Sequence, residues 1–182
     1  MTKMDGEDER ALVERLRAGD AAAFDVLYER YRARIFAFLL RLSRNRTLAE
    51  DLLDEVWVRL VTHAPRLRDD TNLPSWLFSV ARNLYWSARR TAVAHTAAES
   101  WLWPEPQGWP SPFELAAAGE LERSIERALA ALPPKHREVL LLVGIEGLAP
   151  AEAANICGIS AEALRQRLSR ARAALSERLV RS

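Results

Sequence analysis

The chain has 182 residues, 49% of them hydrophobic, and carries 26 Lys and Arg against 25 Asp and Glu, a net charge of +1. That length accommodates one domain or two small ones, and the near-neutral balance excludes a uniformly basic nucleic-acid coat. A single cysteine excludes an internal disulfide, and the three histidines, at 63, 95 and 136, have no metal-ligand spacing, so no metal and no cofactor are expected. Glycine is sparse and strand-type alternation is hard to find, which makes the expected class all-α. The amino-terminal MTKMDGEDER is acidic and reads as frayed through residue 9. A first helix is predicted over residues 9–18 with Leu12, Val13 and Leu16 inward. Gly19 ends it and Asp20 caps the next. In the long second helix Phe24, Leu27, Tyr28, Tyr31, Ile35, Phe38, Leu39 and Leu42 recur at helical spacing, with Arg30, Arg32, Arg34 and Arg41 on the other face. Residues 43–46 break it, and Thr47 to Glu50 reads as a capping box with Thr47 as N-cap. The third helix extends to about residue 63 with Leu52, Leu53, Val56 and Leu60 inward, and Pro65 stops it. Near its start Asp51, Asp54 and Glu55 form an exposed acidic cluster, read either as acids favoured by a helix N-terminus or as a contact for a basic partner.

A polar loop over residues 66–73 precedes a fourth helix, opened by Pro74 and running to about residue 90. Its expected inner stripe is Leu77, Val80, Ala81, Leu84 and Ala88. Trp76, Asn83, Trp86, Arg89 and Arg90 are left for other faces. Aromatics interleaved with Arg and Asn suit single-stranded nucleic acid, with rings stacking on bases and arginines meeting phosphates. Tryptophan on a helix is more often core, and Trp76 is assigned there. Residues 91–118 then contain no Lys or Arg, four of the nine prolines and three of the six tryptophans. WLWPEPQGWPSP cannot be a regular helix and reads as a linker. Its Trp101, Trp103 and Trp109 are expected to pack on something.

The final part is expected to hold a helix over 114–131, a break at 132–134 and a helix over 135–143. Gly144 and Gly147 then lead into GLAPAEAANICGISAEALRQRLSRARAA. Pro150 suits a first helical turn, and Ala151, Ala154 and Ile156 supply a small apolar face. Residues 157–159 form a short turn with Gly158 at positive φ and Cys157 as a small buried residue. Ser160 is a good N-cap and Glu162 places an acid in the first turn of a second helix. Leu164, Leu168, Ala171, Leu175 and Leu179 form its apolar stripe, and Arg165, Gln166, Ser169, Arg170 and Arg172 lie away from it. Four arginines and one acid between residues 160 and 173 leave a local excess of three positive charges. The pattern is helix-turn-helix, whose second helix can enter a major groove with Arg and Gln reaching base edges. Arg-rich helix faces also occur as ordinary solvated surface.

Taken in order, these segments resemble an extracytoplasmic-function sigma factor of bacterial RNA polymerase. Gly19-Asp20 followed by Ala23-Phe24 and a long aromatic helix is similar to the start of the sigma region-2 domain. AEDLLDEVWVRL, residues 49–60, is similar to the helix that docks on the polymerase clamp. LPSWLFSVARNLYWSARR, residues 73–90, is similar to the segment that melts and reads the minus-ten element. Residues 131–175 resemble the region-4 domain that reads the minus-thirty-five element. The sequence departs from the family pattern at Ala163-Leu164, where Thr-Val is common, and at Ala149-Pro150, where a Ser or Thr cap is common.

The resemblance implies two small helical domains, at residues 8–92 and 114–182, joined by a Pro/Trp-rich linker at 93–113, in a cytoplasmic protein that is not an enzyme and does not insert into a membrane. Implied partners are the clamp and flap of core RNA polymerase, promoter DNA (double-stranded at minus-thirty-five, single-stranded at minus-ten), and an anti-sigma factor. Asp51, Asp54 and Glu55 would meet the clamp. The loop at 68–75, with Arg68, Asn72 and Ser75, would hold a base flipped from the non-template strand, and Arg82, Asn83, Trp86, Arg89 and Arg90 would meet adjacent backbone or bases. Arg165, Gln166 and Arg170 would read the minus-thirty-five element, on a face shared with Ser160, Ser169 and Arg172. Two other readings stand beside this one. One is a helix-turn-helix regulator of the response-regulator output type; the other is an interaction module working through the Trp-rich linker.

Overall fold

A computed structural model describes residues 3–96 and 119–180. These residues form eight α-helices with short 3-10 and π turns, and no strand occurs among them. The helices fall into an amino-terminal group, α1 (Lys3–Arg17), α2 (Ala21–Ser43), α3 (Arg46–His63) and α4 (Leu73–Thr96), and a carboxy-terminal group, α5 (Glu120–Ala130), α6 (Pro134–Leu140), α7 (Pro150–Cys157) and α8 (Ala161–Val180). The expected helix at 114–131 is described from Gly119 onward. The linker tryptophans Trp101, Trp103 and Trp109 lie outside the described residues.

The sequence pattern places the first two helices well. Leu12, Val13 and Leu16 are buried, Gly19 turns the chain at φ +84°, and Asp20 Oδ1 accepts from the Ala22 amide at 2.9 Å. α1 nonetheless begins at Lys3 rather than near residue 9. Glu9 accepts a hydrogen bond from the Tyr31 hydroxyl, tying the helix to α2.

The start of α3 differs from expectation. Its N-cap is Asn45, whose Oδ1 accepts from the Leu48 amide at 3.0 Å, and Thr47 is already inside the helix. Arg44 takes the left-handed conformation at φ +58° and delivers Asn45 in the extended geometry a cap needs. Asn also outranks Thr as a cap. Glu50 pairs with Arg46 at 2.9 Å instead of reaching back to a cap amide. Leu53 is only half-buried, while Trp57 is buried and meets Phe24 and Tyr28 at ring separations of 6.0 and 4.9 Å.

The buried stripe of α4 is rotated from the expected one. Leu73, Leu77, Phe78, Ala81 and Tyr85 are buried, whereas Val80, Leu84 and Ala88 are half-buried. The helix is apolar over more than one face, and burial of the larger rings wins. Phe78 meets Phe38 edge-on at 5.3 Å. Trp76, assigned to the core, is half-buried and packs against its edge beside His63. α4 continues to Thr96, so the segment read as linker from residue 93 starts as helix.

In the carboxy-terminal group, α6 passes at Leu141 into a π turn that ends at Ile145. In α7, Ala153, Ala154, Ile156 and Cys157 are buried and Ala151, in the first turn, is exposed, because the short helix buries the face that packs against α4 and α8. Gly158 adopts φ +63° and Leu164, Leu168 and Ala171 bury the stripe of α8. The two groups share one continuous core, with α4 lying against α7 and α2 against α6.

Candidate nucleic-acid interface

The helix-turn-helix presents its second helix to solvent. Ser160 Oγ accepts from the Ala163 amide at 3.1 Å, fixing the start of α8. Arg165, Gln166, Ser169, Arg170 and Arg172 are all exposed. Glu162 holds the first two in a cluster, accepting from Arg165 Nε at 3.2 Å and from Gln166 Nε2 at 3.1 Å. The Arg165 hydrogen bond, ahead of that from Gln166, holds the Glu162 carboxyl below its ordinary range. Ser160, at the N-cap, opens this face. All six residues expected at minus-thirty-five therefore lie along one exposed surface.

The residues expected at minus-ten lie on the amino-terminal group, in the loop before α4 and along α4, and part of that surface faces the seam between the two groups. Arg68 grips Asp70 through two hydrogen bonds, at 2.9 and 3.1 Å, on the rim of an open cleft of about 520 Å³ lined by Arg17, Pro65, Arg66, Leu67, Asp69 and Asp70. Asn72 caps α4, its Oδ1 accepting from the Ser75 amide at 3.0 Å. On one face of α4, Arg82 and Trp86 stand one turn apart, with Asn83 accepting from Arg82 at 3.1 Å. Arg89 lies over the Trp86 ring at 5.7 Å and donates to the Tyr85 hydroxyl, and Arg90 is exposed.

Four members of this set are held by carboxylates of the carboxy-terminal group. Glu138, 0% exposed, accepts from Arg82 Nε at 2.8 Å and from Trp86 Nε1 at 2.7 Å on the same oxygen. Its other oxygen lies 4.0 Å from Arg167. Glu152 accepts from Asn72 Nδ2 at 2.9 Å and Ser75 Oγ at 3.5 Å. Its second oxygen accepts from the Ala149 amide at 3.0 Å, half of a capping box whose other half Ala149 has no side-chain oxygen to supply.

Further pairs cross the same seam. Arg34 meets Glu146 at 3.0 Å, and Arg41 meets Glu126 at 2.8 Å. Burial raises the Glu146 carboxyl above its ordinary value, against the opposing charge of Arg34. Arg137, 3% exposed, gives its guanidinium to five backbone carbonyls, those of Arg41 and Leu42 at the end of α2 and of Leu129, Ala130 and Leu132 around the end of α5. Desolvation, then repulsion from Arg44, lowers it to about 10. Two helix C-termini, each a partial negative charge, stand in for a counter-ion.

Sequence reasoning missed Arg137, Glu138 and Glu152 because charged residues ordinarily mark a solvated face. One signal was present: Arg137 and Glu138 fall four residues before the buried Leu141 and Leu142, on the same inward face. On α3, Asp51 and Asp54 are exposed and Glu55 pairs with Arg59 at 2.7 Å. Val58 and Val61, 57% and 55% exposed, continue that face as an apolar strip that the sequence reading did not single out.

Residues 27–95 match the sigma-70 region 2 family and residues 122–175 the sigma-70 region 4 family. The ECF RNA polymerase sigma factor EcfG of Rhodopseudomonas palustris is 34% identical over 145 residues, covering 77% of this chain and 76% of the relative. The RNA polymerase sigma factor CarQ of Myxococcus xanthus is 33% identical over 172 residues, covering 92% and 95%. Among solved structures, the sigma factor RpoE of Bartonella quintana, crystallised with the anti-sigma factor NepR, superposes with a TM-score of 0.69 at 25% identity over 86% of this chain and 96% of that one. CnrH, solved with the cytosolic domain of CnrY, shares the fold with a TM-score of 0.68 at 23% identity over 96% and 98%. The chain belongs to the extracytoplasmic-function branch of the sigma-70 family, alternative sigma factors that direct RNA polymerase to promoters.

Proposed function

We propose that the molecule divides this role among three surfaces. Asp51, Asp54 and Glu55, flanked by Val58 and Val61, dock on a basic and partly apolar surface of the polymerase clamp, and the carboxy-terminal group meets the flap. Arg68, Asn72 and Ser75 hold a base flipped from the non-template strand, and Arg82, Asn83, Trp86, Arg89 and Arg90 carry the neighbouring backbone and bases. Arg165, Gln166 and Arg170 read the minus-thirty-five element in the major groove, with Ser160, Ser169 and Arg172 on phosphates. The two units are residues 8–92 and 114–182, with the last turn of α4, to Thr96, carrying the chain into the linker between them. The protein acts in the cytoplasm as a binding factor without catalysis of its own, and an anti-sigma factor binds it, as the anti-sigma factor NepR is in complex with the Bartonella relative in its crystal.

The observation that carries this reading is the α8 surface, where six polar residues stand exposed along a helix held by a capped turn. Among the described residues, no helix is long and apolar enough to cross a membrane. The test measures holoenzyme binding to promoters varied at minus-thirty-five. Arg165→Ala and Gln166→Ala are expected to relax discrimination there by about 1–3 kcal/mol each if the base contact is bidentate. Unchanged discrimination with intact binding removes them from the reading face.

A further inference from the structure

A cavity of about 360 Å³ opens beside the end of α2, α4 and the turn between α5 and α6, and its lining includes Arg44, Tyr85, Arg89 and Arg137. No Asp or Glu is among the described residues that line it. The cleft beside Arg68, by contrast, sets Asp69 and Asp70 among its arginines and so offsets its own charge. Arg137 brings charge to the cavity but no donor, since all five of its N–H groups are spent on backbone carbonyls. The like charges of Arg44 and Arg89 both act on that guanidinium and help to lower its pKa. Arg44 differs in its hydrogen bonding. Its Nε is buried and has no hydrogen-bond partner among the described residues. A buried donor left unmet is costly, and folded proteins almost always supply it an acceptor. Across the cavity the Tyr85 hydroxyl accepts from Arg89 at 3.2 Å and keeps its own proton for another acceptor.

We propose that this cavity is a binding site for a small phosphate-bearing anion, with Arg44 as its principal donor. A guanidinium presents paired N–H groups that match two oxygens of a phosphate, and the unmet Nε of Arg44 belongs to such a pair. Tyr85 supplies a neutral donor from α4, and Arg89 and Arg137 add positive charge in a recess where salt screens less than on open surface. The volume is many times the roughly 30 Å³ of one water, so the site takes a polyatomic ion. A diphosphate carries more charge and more acceptors than a single phosphate, and it is the better match to several arginines. The site goes beyond the promoter reading, in which Arg44, Tyr85 and Arg137 have no part.

The test uses the full chain without polymerase, titrated by calorimetry with inorganic phosphate and with pyrophosphate at an ionic strength held constant with sodium chloride. Both are expected to bind saturably at one site, pyrophosphate more tightly. Arg44→Gly removes the guanidinium at a position whose φ of +58° glycine adopts without strain, so the fold is expected to be kept. It is expected to weaken pyrophosphate binding by at least about tenfold, the loss of one charged hydrogen-bonding partner. Tyr85→Phe removes only the hydroxyl and is expected to weaken binding about threefold. A backbone phosphate of promoter DNA offers the same chemistry, and a second arm separates the two sources. Holoenzyme carrying Arg44→Gly is expected to bind promoter DNA as wild type does. Wild-type chain that shows no saturable pyrophosphate binding overturns the site. So does binding that persists unchanged in folded Arg44→Gly, which places the anion on another arginine surface. Promoter binding lost in parallel with pyrophosphate binding makes the cavity part of the DNA surface, and the small-ligand site falls.

Discussion

Cys157 sits buried at the turn between α7 and α8, and burial, followed by the negative charge of Glu138, pushes its thiol up to about 12. The folded state thus keeps the thiol neutral, whereas the unfolded thiol ionises near its ordinary 9.0. Its contribution to stability is full below that value and is lost as pH rises toward 12. Alkylation by iodoacetamide at mildly alkaline pH, followed by mass spectrometry, is expected to be far slower in the native protein than in denaturant. Equal rates would show that the turn is open. The sequence conveyed this residue's role because a lone cysteine in an alanine-rich helix has little to do but pack. Glu138, its neighbour, was opaque. A glutamate inside KHREVLLL looks like an ordinary solvated acid until the partner helix that buries it is known.

At the scale of single helices, legibility followed the contrast between faces. α2 has aromatic and aliphatic residues on one side and arginines on the other, so Leu27, Tyr31, Ile35, Phe38, Leu39 and Leu42 follow from spacing, whereas Phe24 and Tyr28 are only half-buried and Ala23 and Ser43 are buried instead. α4 has apolar residues around more of its circumference, and packing against α2, α3 and α7, with Phe78 edge-on to Phe38, decides which face goes in. The start of α3 turned on one backbone conformation, Arg44 in the left-handed region, which moves the cap from Thr47 to Asn45. Asn45→Ala is accordingly expected to cost about 1 kcal/mol in chemical denaturation, and Thr47→Ala less than half of that. The reverse order would return the cap to Thr47. On the outer face of the same helix, Glu55→Lys is expected to leave the helical circular dichroism unchanged, since Glu55 pairs only with its neighbour Arg59 in the hydrogen bonds around it. It should weaken core-polymerase binding by reversing a charge at the docking surface. Normal affinity in a folded variant would move the docking surface elsewhere.

On the scale of the whole molecule, two helical groups in the order of sigma regions 2 and 4 were readable because each carries its own periodic stripes and caps. Their closure on each other was not. The polar contacts of the seam come from charged residues, Arg34, Arg41, Arg82, Arg137 and four glutamates, each of which reads locally as surface. What pairs them is long-range geometry, over sequence separations of more than fifty residues, and no local pattern carries it. As a member of its family, this chain gives polymerase its choice of promoter. The most direct measurement is transcription in vitro from genomic DNA by core polymerase, with and without the protein, followed by mapping of the RNA start sites. Starts are expected that appear only when the protein is added, preceded by a shared pair of elements at fixed spacing, the upstream one changing its tolerance with Arg165→Ala. Start sites identical to those of core polymerase alone, with folded protein present, would contradict it.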